Sequence, residues 1–319
     1  MKNAQIVACG SYLPPKILSN QDLAKLVDTN DEWITERTGI KQRHIADKNQ
    51  LTSDLAFEAC KNLAQQHNID LSKVEMIILA TTTPDLTFPS TACILQSKLK
   101  ANNAFAFDVQ AVCSGFVYAL SIASNFISCQ KVKNALVVGS ETLSKIVNWQ
   151  DRNTCVLFGD GAGAFYLEAT DNKNCGIINY SLQSDGNLSD ILKTSGGTAL
   201  SQNSGFIEMQ GKEVFRHAVE KMANSVLQCL NKSALSTKDI DLLIPHQANL
   251  RILNAVATKL ELPFEKVVTT LNLHANTSAA SIPLAFDHAY QAHKIKKDNL
   301  IVLEALGGGL TWGSILIRY

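Results

Sequence analysis

No cysteine in this 319-residue chain belongs to a C-x-x-C pair, although there are eight of them. Cys9, Cys60, Cys93, Cys113, Cys129, Cys155, Cys175 and Cys229 lie mostly in apolar periodic stretches. That pattern argues against a zinc site or a disulfide framework and predicts free thiols in a reducing, cytoplasmic compartment. Net charge is lacking too, with Lys plus Arg and Asp plus Glu at 29 each. A neutral chain has no global field for nucleic acid or an anionic membrane, so neither partner is expected. There is no Pro-rich, Gly/Ser-rich or single-charge block to mark a linker or tail. No H-x-x-x-H spacing occurs among the histidines, and no metal is expected. The cluster GDGAG (159–163) has neither the lysine of a phosphate loop nor a following helix, which argues against nucleotide cradling.

Two stretches imitate membrane signals. Residues 109–130 carry no charge, but they contain Gln110, Asn125, Gln130 and serines and begin like a strand. A helix buried inside a large protein explains them better than a membrane span. The start, MKNAQIVACG, has too short an apolar run for a signal peptide and reads as a first strand.

What the chain does have is a 46% apolar composition and an internal repeat. NIDLSKVEMIILATT (68–82) parallels SALSTKDIDLLIPHQ (233–247), and VKNALVVGSET (132–142) parallels KKDNLIVLEAL (296–306). Between them, AFAFDVQAVCSGFVYALSIAS (104–124) matches VVTTLNLHANTSAASIPLAFD (267–287) as strand, turn and helix. The reading is an α/β protein of two duplicated halves, 1–170 and 171–319, with buried strands alternating with helices. The uncharged helix 113–130 is expected between the two sheets. In such sheets, sites form beyond the carboxyl ends of strands.

Several ionisable or nucleophilic residues fall at those ends. Cys113, in DVQAVCSGFVY (108–118), opens a helix. There the macrodipole and unpaired N–H groups lower a thiol's pKa, yet a small buried core cysteine fits the position too. His246 ends the strand LLIPH and reads as either structural or chemical. Asn276, in LNLHANTSAAS, fits a helix N-cap. GGGLTWG (307–313) opens a strand and exposes backbone N–H groups, which suits an oxyanion site or a tight bend.

Taken together, DTNDEWITERTGIKQRHIA (28–46), TFPSTAC (87–93), the cysteine turn, FGDGAGA (158–164), PHQANLRI (245–252), HANTSAAS (274–281) and GGGLTWG resemble β-ketoacyl-acyl-carrier-protein synthase III. The resemblance implies a thiolase-like, five-layered αβαβα fold and a homodimer. It implies decarboxylative condensation of a short acyl-CoA, acetyl-CoA above all, with malonyl-acyl carrier protein. Cys113, His246 and Asn276 match the catalytic positions, and the amides of Cys113 and Gly308 match an oxyanion hole. Trp33, Arg37, Arg152 and Asn249 match CoA contacts, with CoA as substrate and no resident cofactor. Phe88, Leu143 and Leu306 match the acyl pocket, and Arg216, Arg251 and Lys259 a carrier-protein docking patch. Leu306 stands where Phe is usual and Ala275 where Gly is usual; the alanine is strained if that site needs positive φ. A thiolase would carry a second cysteine in GGGLTWG, which has none. A synthase-III-like acyltransferase with another acceptor or a longer primer is the nearest alternative.

Overall fold

The computed structural model describes residues 2–319. The first half supplies β1 (Asn3–Tyr12), β2 (Ile17–Ser19), β3 (Gln42–His44), β4 (Met76–Ala80), β5 (Phe105–Val109), β6 (Asn134–Glu141) and β7 (Gly161–Thr170). The second supplies β8 (Gly176–Ser184), β9 (Leu192–Thr194), β10 (Ile207–Met209), β11 (Leu242–Pro245), β12 (Leu300–Gly307) and β13 (Thr311–Arg318). Among the described residues one main sheet runs β1-β7-β6-β4-β5 and the other β11-β12-β13-β8. In each, the strands leading to the candidate site are parallel: β4 beside β5 and β6, and β11 beside β12.

The period-2 pattern of the buried strands sorts side chains between layers. Met76, Ile78 and Ala80 face a central cluster, whereas Ile77 and Leu79 face an outer one with Ala56, Cys60, Leu63 and Leu95. In the second sheet Ile301, Leu303 and Ala305 point to the same central cluster, and Leu300, Val302 and Leu306 to a second outer one with Met222, Val226 and Val256. The central layer is filled by the helices Gly115–Ser128 and Ser281–Gln291, and the outer layers by Thr52–His67, Thr91–Leu99, Gly211–Lys232 and Leu250–Lys259. The order is helix, sheet, helix, sheet, helix, a thiolase-like αβαβα stack.

The apolar stretch 109–130 is explained by this placement. Phe116 and Phe286, one from each central helix, meet Phe165 of β7 at centroid distances of 4.9 and 4.6 Å. Such buried aromatic contacts add about 0.5–1.5 kcal/mol each beyond area burial. β6 approaches the second half so closely that a Cβ on Gly139 would strike the backbone of Ala279, which leaves room for no other residue.

Candidate active site

β5 stops at Val109, a tight turn spans Val112–Ser114, and the helix Gly115–Ser128 takes over. Val112 has φ 49°. That left-handed conformation costs a β-branched residue roughly 1–2 kcal/mol. Tertiary packing holds it there. A Cβ on Gly307 would come within 2.6 Å of the Cys113 nitrogen and 3.0 Å of the Ser114 nitrogen, so the end of β12 meets this turn backbone to backbone. The Ser114 and Thr311 hydroxyls both reach the Ala111 carbonyl, at 2.8 and 3.0 Å.

His246 follows β11, and its backbone N–H extends the ladder by donating to the Glu304 carbonyl at 2.7 Å. Its Nδ1 lies 2.6 Å from the Ser281 Oγ. That oxygen also accepts the Gln247 N–H at 3.4 Å. With Nδ1 engaged by the serine, Nε2 is the ring nitrogen left to meet a ligand. Burial holds His246 at about 3, far below the ordinary imidazole value, so the ring is neutral.

Asn276 follows Ala275, whose φ of 57° and ψ of −161° fall in a region kept almost entirely for glycine. The site does need positive φ, and the alanine is strained. The amide is not a helix N-cap: the helix Ser281–Gln291 is preceded by Ala280. Instead the Asn276 Oδ1 accepts the Ser278 N–H at 2.9 Å, inside a turn. With Oδ1 so engaged, the NH2 end is the free donor.

Cys113, His246 and Asn276, at 5%, 2% and 7% exposure, line one cavity of about 1310 Å³. The expectation of a lowered thiol pKa is overturned. Burial pushes Cys113 up to about 12, the Glu141 charge adds to the rise, and the Ser278 hydroxyl opposes it. Desolvation outweighs the helix terminus because, among the described residues, no basic side chain acts on the sulfur to offset it. Thiol and imidazole both rest uncharged.

Trp33, Arg37, Leu143, Asn249 and Leu306 line the same cavity. Trp33 lies under two guanidinium groups, that of Arg152 at 4.2 Å and that of Arg37 at 4.7 Å. Arg152 also faces Asp28 at 3.6 Å. Asn249 caps the helix Leu250–Lys259 through Oδ1 and donates from Nδ2 to the Arg37 carbonyl at 3.2 Å, which ties the two halves together at the cavity mouth. Phe88 does not line the cavity within the protomer; it is 82% exposed, while its neighbours Leu86 and Thr87 do line it. Gly308 packs beside Val112 and Leu192, one residue beyond the glycine that abuts Cys113. Arg216, Arg251 and Lys259 are exposed on the outer helices; Arg216 pairs with Glu213 at 2.5 Å and Arg251 reaches the Glu36 carbonyl at 3.4 Å.

Sequence reasoning passed over Ser278, Ser281 and Glu141. The serines stood in a quoted motif, but nothing local distinguishes them from other small turn residues. Glu141 carried a usable signal, an acid at the end of the apolar strand ALVVGSE.

Family comparison agrees with this architecture. The description "3-Oxoacyl-[acyl-carrier-protein (ACP)] synthase III" matches residues 107–186, and its C-terminal counterpart matches residues 230–319. The chain is 56% identical over 320 residues to the β-ketoacyl-[acyl-carrier-protein] synthase III of Wolbachia pipientis subsp. Culex pipiens (strain wPip), covering all of both chains. It is 54% identical over 318 residues to that of Ehrlichia canis (strain Jake), again end to end. The crystal structure of 3-oxoacyl-[acyl-carrier-protein] synthase III from Aquifex aeolicus VF5 superposes with TM-score 0.94 at 46% identity, covering 99% of this chain and 100% of that one. With both halves matched and relatives aligned end to end, this chain belongs to the 3-oxoacyl-[acyl-carrier-protein] synthase III family, condensing acyltransferases on a thiolase-like fold.

Proposed function

We propose that the protein joins a short acyl-CoA primer, acetyl-CoA above all, to malonyl-acyl carrier protein through an acyl-Cys113 intermediate, and so begins fatty-acid chains in the cytoplasm. The observation that carries this reading is the convergence of a thiol, a neutral imidazole and a carboxamide on one cavity. The primer's carbonyl carbon is attacked by the Cys113 sulfur, and its oxygen is received by the backbone N–H groups of Cys113 and Gly308. CoA leaves as the thiol. Malonyl thioester then enters, and its carbonyl oxygen accepts from His246 Nε2–H and Asn276 Nδ2–H. Both donors are neutral, so they stabilise the enolate left by carbon dioxide without having to lose a proton first. The enolate carbon attacks the acyl-cysteine and releases a 3-ketoacyl-carrier protein. A covalent intermediate gives ping-pong kinetics.

Trp33 and Arg152 are assigned to the adenine of CoA, Arg37 to its phosphates and Asn249 to the pantetheine arm. Trp33 is already stacked by guanidinium groups, so the adenine enters by displacing Arg152 from the ring. Leu143 and Leu306 bound the acyl chain. Phe88 is assigned to the partner's pocket in a homodimer, which accords with its exposure and with the unpaired outer edge of β5, where Phe105 is also exposed. Arg216, Arg251 and Lys259 are assigned to the acidic carrier protein.

Incubation with acetyl-CoA should add one acetyl group to the intact mass, and Cys113→Ala should abolish the addition. An unchanged mass with fresh acyl-CoAs would defeat the reading.

A further inference from the structure

The turn between β12 and β13, residues 308–310, carries the Gly308 amide assigned above to the oxyanion hole. One side of the turn is fixed by the cysteine turn, through Gly307 and the Thr311 hydroxyl. The other side rests on the end of β8. Asp185 and Leu310 exchange backbone hydrogen bonds at 2.9 and 3.0 Å, and the Trp312 indole N–H donates to the Gln183 Oε1. Among the described residues, however, β8 is the outer strand of its sheet and is laddered to β13 alone. The end of such an edge strand opens easily, so the turn is only as rigid as whatever holds Gln183 and Asp185.

That support comes from the helix Gly211–Lys232. Lys221 crosses the buried Trp312 ring, with Nζ 4.1 Å from the ring centroid, and reaches the Asp185 Oδ2 at 3.6 Å. At 19% and 31% side-chain exposure, this is the most sheltered of the ion pairs among the described residues. A sheltered, stacked ammonium is screened far less than one in open water. Two helical turns further on, the Gln228 Oε1 accepts from the Gln183 Nε2 and from the Ser181 hydroxyl. Lys221 itself does not line the cavity, but its neighbours Ala218 and Met222 do. One helix therefore forms a cavity wall and holds the strand end on which the turn rests.

We propose that Lys221 is a positioning residue: by bridging Trp312 and Asp185 it fixes the 308–310 turn, so that the Gly308 amide meets the primer's carbonyl oxygen as charge develops there. A donor held in place stabilises that charge without reorganising, whereas a mobile one must first be brought back. On the acyl-Cys113 reading, which this assignment presupposes, the effect falls on the rate constant of acyl transfer and not on the binding of acetyl-CoA. The amide meets full charge only in the transition state. His246 follows β11 and Asn276 is held in its own turn with Ser278, so carbon dioxide release does not depend on Lys221.

Lys221→Met keeps an unbranched stem across the indole and removes the charge. In single-turnover acetylation by acetyl-CoA, followed by intact mass, it should lower the rate constant about tenfold and leave the half-saturating concentration unchanged. Carbon dioxide release from malonyl-carrier protein should stay at the native rate. A merely structural lysine would lower both steps together, or neither. Asp185→Asn keeps an oxygen for the Asn187 N–H and should lose as much, with no further loss in the double variant. It also carries the test if Lys221→Met fails to fold. Lys221→Arg, which retains a cation over the indole, should keep most of the native rate. Amide hydrogen exchange over residues 307–312 reads the same contact without substrate and should quicken about tenfold in Lys221→Met and Asp185→Asn. Acetylation at the native rate in both variants, an equal loss in both steps, or unchanged exchange would overturn the proposal. Failure of the native protein to acetylate, with exchange still dependent on Lys221, would instead strike the acyl-enzyme reading.

Discussion

In the first half of the molecule a residue at φ 49°, Val112, precedes Cys113; in the second a residue at φ 57°, Ala275, precedes Asn276. Each turn then runs through a short 3-10 segment into a central-layer helix, Gly115–Ser128 or Ser281–Gln291. Each delivers a polar side chain to the same cavity. Around them the halves have diverged. The first sheet is closed by a full edge strand, β5, whereas the matching stretch of the second makes only an isolated bridge at Val267. Backbone strain and helix placement do the aiming in both halves, which frees the side-chain chemistry to differ. One half presents a nucleophile, the other hydrogen-bond donors.

The sharpest way to break that division is to remove one partner from each turn. Cys113→Ala should eliminate covalent acetylation, while Asn276→Ala should leave acetylation within a fewfold of native. The same Asn276→Ala, or His246→Ala, should cut carbon dioxide release from malonyl-carrier protein by about 10²–10³-fold. Radiolabelled malonyl turnover checks it; normal decarboxylation in both variants would refute the donor assignment.

A second prediction concerns acid. His246 and His274 are both held near 3 by burial, and both return to about 6.5 when the chain unfolds. Between those values the unfolded chain binds more protons, so the stability they contribute is whole above 6.5 and is lost as pH falls toward 3. The denaturant midpoint should therefore drop below pH 6.5, and the neutral donor form of His246 should persist through that range. Carbon dioxide release per folded molecule should show no inflection near 6.5.

Strain offers a smaller contrast. Ala275→Gly relieves a conformation that costs of order 1–3 kcal/mol, and thermal unfolding should move up by a few degrees. Val112→Gly should gain less, because the valine side chain that it removes also packs beside Gly308. Smallest of all, Arg251→Glu should raise the half-saturating carrier-protein concentration a fewfold and spare acetyl-CoA, because exposed charges are heavily screened.

Much of this was legible in the primary structure, for reasons particular residues make plain. Met76 to Ala80 and Leu300 to Leu303 are unbroken apolar runs, and strands covered on both faces tolerate that. Cys113 and His246 stood out because each follows a strand, and Asn276 because its stretch matches the cysteine turn in the repeat, although there the expected strand is reduced to a bridge at Val267. The state of those groups was not legible. A cysteine opening a helix suggests a lowered pKa, and burial produced the reverse. Ser281 looks like any small turn residue until its hydroxyl is seen against an imidazole 35 positions away.

The duplication and the buried central helix were legible in the sequence alone, because hydrophobic period is a local property; position left Cys113, His246 and Asn276 each with a structural reading as well, and only resemblance to the family named them as nucleophile and donors. Which hydroxyl holds His246 Nδ1, which end of Asn276 is free and how deeply Cys113 is buried were decided only by the tertiary structure. Those properties depend on desolvation and on hydrogen-bond partners supplied by distant segments, and a linear pattern encodes neither.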